Sequence, residues 1–192
     1  MTPLASAAAG LRGALLLARG RAEGAALVEP GAQGALHSFW AMAACLPILL
    51  VMHLARPVSD ALESDLAAVP FTTNLAVYGI GWLAFAVLSH RIAGALGAGA
   101  SWFGFITVWS WCNVVQQAMV AVGSLPAMLD VPGPVPAVAV LVATGWAIWL
   151  EWYAIRTTLG VSGLAAAAFV LLDYAVSLTA FGISSVANGS AG

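Results

Sequence analysis

Residues 134–150 read PVPAVAVLVATGWAIWL, a run with no Asp, Glu, Arg or Lys that ends directly at Glu151. A helix rises 1.5 Å per residue, so this run and its flanks approach the ~20 residues that cross a hydrocarbon core about 30 Å thick. Residues 39–54 and 75–88 are equally free of those four residue types. Across the 192 residues 62% are hydrophobic and 7% charged, with a mean hydropathy of +0.97. Soluble domains carry roughly 25% charged residues, so the natural solvent of this chain is lipid.

With so few charges, the position of each arginine describes topology. Spans are predicted at about 37–55, 70–90, 101–125, 134–154 and 164–186. Arg12, Arg19, Arg21, Arg91 and Arg156 then fall on one side and Arg56 alone on the other. The positive-inside rule makes this an N-in, C-out arrangement. The predicted fold is all-α: a polytopic membrane bundle of five transmembrane helices behind an N-terminal interfacial amphipathic helix, in one domain covering 1–192.

Residues 1–33 form the predicted cytoplasmic segment. Leu4, Ala8, Leu11, Leu15 and Ala18 recur at helical spacing with arginines at the edges, the pattern of a helix lying along the inner lipid surface. Gly10, Gly13, Gly20 and Gly24 weaken that helix, and Arg12 interrupts the apolar core that a signal peptide would need. Gly31 to Gly34 is expected to break the element, with Phe39 and Trp40 as interfacial anchors and Pro47 a kink in the first span. The outer connections are residues 56–69, with Asp60 as helix N-cap beside Glu63 and Asp65, and residues 130–136. The inner loops are 92–100 and 156–163, and the tail 188–192 lies outside.

Several function classes drop out. A net charge of −2 without a basic, aromatic-rich cluster excludes nucleic acid. Cys45 and Cys112 fall inside spans and form no CxxC pair, and His37, His53 and His90 form no HxxxH or HExxH pattern. Serine nucleophile elbows, P-loops and dinucleotide fingerprints are absent, which counts against an enzyme. No catalytic residue, cofactor or metal is therefore expected.

Asp173 is the acidic residue deepest in a span, roughly 16 Å from its inner end. Asn113 stands at a matching depth in the third span, with Gln116 and Gln117 beyond it and His53 in the outer part of the first. Two readings stay open for this polar cluster. In one, Asp173 titrates or coordinates a cation while the amides relay or orient it. In the other, Asp173 is an interhelical latch on Asn113 or Gln117, contributing on the order of 0.6 kcal/mol per contact. Glu151 and Arg156 are predicted to pair at the inner interface and orient a helix end. Gly79, Gly81, Gly160, Gly163 and Ala165 to Ala168 would allow close packing between helices or between chains.

Two segments carry a resemblance. Gly34-Ala-Leu-His-Ser-Phe-Trp40, after the Leu-Ala-Arg-Gly-Arg stretch, and Glu151-Trp-Tyr-Ala-Ile-Arg-Thr-Thr-Leu-Gly-Val-Ser-Gly163 running to Asp173 resemble a group of small, functionally uncharacterised alphaproteobacterial inner-membrane proteins. Span number and topology also resemble the Yip1-like five-span class. The first resemblance implies a multi-pass protein of the bacterial inner (plasma) membrane. The second implies membrane organisation through partners. The absence of lysine, with heavy Ala and Gly use, also suits a GC-rich bacterial genome.

The expected partners are the lipid bilayer and other membrane proteins or further copies of this chain. The leading expectation is a non-enzymatic scaffold or accessory subunit. The alternative is a small transporter or channel component using the cluster around Asp173.

Overall fold

The computed structural model describes residues 2–54 and 71–189. Arg56, the predicted Asp60 cap, Glu63 and Asp65, and the end of the C-terminal tail lie outside the described residues. The described chain is helical throughout: α1 Pro3–Leu17, a 3-10 turn Ala22–Ala26, α2 Gly31–Ser38, α3 Trp40–Leu54, α4 Phe71–Ala95, a second 3-10 turn Gly99–Ser101, α5 Trp102–Met128, α6 Val135–Leu159 and α7 Gly163–Gly189. Five segments are long and apolar enough to cross a membrane: Gly31–Leu54, Phe71–Ala95, Gly99–Met128, Val135–Leu159 and Gly163–Ala180.

The helices outrun the predicted spans. α6 continues beyond Arg156 to Leu159, and α4 beyond Arg91 to Ala95. Polar residues mark where lipid ends, whereas a helix ends where its carbonyls find a cap. At α6 that cap is Gly160, left-handed at φ 66°, whose N–H donates to the Arg156 carbonyl at 3.1 Å. Ser162 then accepts from the Ala165 N–H at 3.2 Å and opens α7.

The predicted break at Gly31 to Gly34 is also corrected. Gly31 takes φ 77° at the helix start, but α2 runs through Gly34, whose missing side chain lets the helix close onto the Glu29 backbone. The N-terminal helix itself ends earlier, at Leu17, and the first span is interrupted at Phe39, between α2 and α3, where the Ser38 hydroxyl donates to the Ala35 carbonyl at 2.7 Å.

α5 is the central helix and touches α1, α2, α3 and α6. Residues 105–112 are buried at every position, so this stretch is enclosed on all sides instead of presenting one apolar stripe. α6 returns antiparallel along it after Asp130 and Gly133 adopt positive φ, and Gly123 packs directly on Ala139 and Ala143. α7 joins α6, and α4 joins α7, completing the bundle.

The glycines of α1 prove to be contact points. Ser6, Gly10, Gly13, Ala14 and Leu17 form its buried face, with Gly10 against the Trp111 ring and Gly13 against the Gly24 backbone. A side chain at either glycine would overlap these neighbours, so small residues set the close approach. The predicted stripe of Leu4, Leu11 and Leu15 lies on the exposed side. Behind α1, the Tyr153 hydroxyl donates to the Gly20 carbonyl at 2.7 Å and ties the N-terminal segment to α6.

A central acidic cavity as candidate functional site

Sparse polar residues recur at helical spacing on four of the spans, and the fold turns these stripes toward one another. Asn74 and Tyr78 on α4, Trp109, Asn113 and Gln116 on α5, Thr144 and Glu151 on α6, and Asp173 and Ser177 on α7 all line a cavity of about 530 Å³. Spacings of three, four or seven residues keep each set on one helix face. His53 contributes from the end of α3, its ring 5.2 Å from that of Phe71. Asp173, Asn113, Gln116, Gln117 and His53, the predicted cluster, thus share one cavity.

Their pairing differs from the predicted latch. The Asn113 amide donates to the Trp109 carbonyl of its own helix at 3.1 Å, and the Gln116 amide crosses to the Ala147 carbonyl at 2.7 Å. Asp173 meets Glu151 instead. Two ionised carboxylates offer each other only acceptors, so this contact becomes a hydrogen bond only when a proton is shared between them. The same pair can hold a cation.

The predicted Glu151–Arg156 pair is not formed. Five positions along an α-helix amount to a rotation of about 140°, which sends the two side chains to different faces. Arg156 is exposed, with its guanidinium 5.4 Å from the centre of the Trp152 ring, while Glu151 is only 4% exposed and faces the cavity. Glu151 also stands eight residues before the end of α6, about 12 Å inward, because the helix continues past the predicted span. Asp173, ten residues into α7, lies about 15 Å from the same end of the bundle, which brings the carboxyls level.

The acidic pair marks the floor of the cavity. One turn further toward the Arg91 and Arg156 ends lie Phe85, Phe105 and Phe169, one from each of three spans and all at most 1% exposed. Phe85 and Phe105 meet with ring centres 6.2 Å apart, and Phe105 and Phe169 at 5.9 Å. Phe85 also stacks on Trp109 at 4.5 Å. A contiguous, fully packed aromatic layer therefore lies beneath the acidic pair at this end.

Above that layer, polar atoms lack partners. His53 Nδ1, Tyr78 Oη, Trp109 Nε1 and Glu151 Oε1 are buried without a hydrogen-bond partner, and all four residues line the cavity. Sequence reasoning missed Tyr78 and Trp109 as site residues and placed Glu151 at the interface. The available signal was the helical spacing of Asn74 with Tyr78 and of Trp109 with Asn113. Among the described residues, no group of three or more His, Cys, Asp or Glu could hold a metal ion. No known protein family, curated protein or solved structure matches the chain.

Proposed function

We propose that this chain is a small transporter or channel component that admits a polar or cationic solute to its central cavity and passes it across the membrane. One observation carries the reading: four buried, unpartnered polar atoms, on His53, Tyr78, Trp109 and Glu151, converge on a single cavity. Leaving such a group unsatisfied costs about 1–3 kcal/mol, so water or a solute is the expected partner. The acidic pair gives the site a charge preference, and the phenylalanine layer supplies the barrier that separates binding from release. No chemical conversion of the solute is involved.

The proposed setting is the bacterial inner membrane, with the N-terminus inside and the C-terminus outside. The five-to-one arginine distribution supports this orientation. The exposed Leu4, Leu11 and Leu15 stripe supports α1 lying along the inner lipid surface. In this frame the cavity faces outward and the phenylalanine layer inward.

The test is aqueous access. In a background with Cys45 and Cys112 replaced, single cysteines at positions 113, 117 and 173 should react with a membrane-impermeant thiol reagent added outside, and a cysteine at position 105 should not. Uniform protection at all three cavity positions would overturn the proposal.

A second reading, association as a scaffold or accessory subunit, draws on Gly79. Nothing stands within 4 Å of where its Cβ would lie, which leaves room for a neighbouring helix from another chain. Crosslinking in native membranes should recover a stable partner under this reading, and an isolated monomer under every mild condition would count against it.

A further inference from the structure

The chemistry of the cavity selects among solutes. Glu151 and Asp173 supply acidic groups, and among the described residues no Arg or Lys reaches the lining, so an anion would meet only like charge. A bare metal ion needs a dense shell of oxygen ligands. Here one wall is instead a run of aromatic rings: Tyr78 and Trp82 are 5.7 Å apart, and Trp82 and Trp109 are 4.9 Å apart at an interplanar angle of 56°. Phe85 stacks on Trp109, so the aromatic surface left for a cation is that of Tyr78 and Trp82, where a cation within about 6 Å of a ring face is attracted.

The volume of about 530 Å³ suits an organic molecule better than a single ion. Trp109 is 3% exposed and its Nε1–H has no partner, so it can donate to an acceptor atom on such a molecule. Tyr78 Oη offers a second donor on the same wall.

We propose that the solute is a small organic ammonium ion, its charge held between the Glu151–Asp173 pair and the aromatic wall of Tyr78 and Trp82. This rests on the reading of the cavity as a solute site. The ammonium group lies at the floor, above the phenylalanine layer, and the rest of the molecule extends toward Asn113 and His53. Binding sets a positive charge beside the Glu151–Asp173 pair, and a probe that carries N–H groups can also donate to Glu151 Oε1.

The experiment uses the full chain, purified in detergent, and compares choline and ethanolamine with sodium ion and with 3,3-dimethyl-1-butanol, the neutral isostere of choline. Binding is read by tryptophan fluorescence and by protection of a cysteine introduced at position 117. We expect at least one ammonium probe to bind and protect, with the neutral isostere weaker by about tenfold or more. Asp173→Asn should weaken ammonium binding by a similar factor while leaving the isostere unchanged, and Trp82→Leu should weaken the quaternary probe most. Equal binding by the isostere, displacement by sodium at equal concentration, or no ammonium binding up to tens of millimolar would each overturn the inference. The comparison on the unsubstituted chain needs no variant, so a folding defect in Asp173→Asn leaves the outcome decided. If position 117 reacts with thiol reagent but no ammonium protects it, the ligand assignment falls and the cavity reading stands. If positions 113, 117 and 173 are all inaccessible, both fall.

Discussion

The two halves of this bundle are built on opposite terms. Toward the Arg91 and Arg156 ends, Phe85, Phe105 and Phe169 fill the interior, and α1 and α2 pack against α5. Toward the other end the helices leave a cavity of about 530 Å³ into which polar groups project from largely apolar walls, several of them unpartnered. The difference separates a packed region from a hollow one along the bundle axis. Interlocked rings hold the helices together in the closed half, and the open half, where Gly123 packs on Ala139 and Ala143, keeps polar groups turned inward.

Substitutions in the closed half should therefore damage stability first. Phe105→Ala removes a fully buried ring and should cost about 3–5 kcal/mol, read as a lowered thermal midpoint in detergent. In vesicles the folded fraction should also leak small solutes, since the aromatic layer is broken. A variant with unchanged stability and tight vesicles would remove the distinction between the halves.

Gly10→Leu should follow, at about 1–3 kcal/mol, because the new side chain enters the space of the Trp111 ring. Limited proteolysis should then release the N-terminal segment, while a cysteine introduced at position 117 stays as reactive toward thiol reagents as before. Loss of both together would mean that α1 also shapes the open half.

A pH effect is also expected on the packing of the same N-terminal region. The hydrogen bond with His37, at 2.9 Å, lowers the Glu29 carboxyl from its ordinary 4.5 to about 2. A depressed carboxyl stabilises the folded state above the unfolded value and loses that contribution as the pH falls through the folded one. Protection of the N-terminal segment should accordingly decline between pH 4.5 and about 2, and Glu29→Gln should remove that dependence. An identical acid profile in the variant would discard the link. The smallest effect belongs to Gln116→Leu, which deletes the amide contact to the Ala147 carbonyl and should cost about 0.6 kcal/mol.

The spans are legible from residues such as those at 134–150 because, in lipid, length and apolarity alone decide whether a helix can cross. Asp173 and Asn113 are legible as a matched pair because depth along a helix follows from counting residues. Their partners are not. Asp173 meets Glu151, and Asn113 bonds to its own helix, because partner choice depends on the rotation and neighbour order of helices, which spacing within one span does not encode. Glu151 is misplaced by sequence reasoning for a related reason: its neighbours Trp152, Tyr153 and Arg156 resemble an interface, but the helix goes on to the Gly160 cap. Gly10 reads as weakness in the sequence, since nothing in residues 1–33 names Trp111 as the surface it fits.

Composition and residue order alone dictate a lipid-solvated, five-span helical chain with a sparse polar inventory, since transfer between water and hydrocarbon is a property of each segment taken singly. Tertiary packing turns this inventory inward around a shared cavity, brings two carboxyls together within it, and packs three phenylalanines beneath them. Those facts belong to contacts between segments, set by small residues at the crossings of α1, α5 and α6 and by rings that interlock across the bundle.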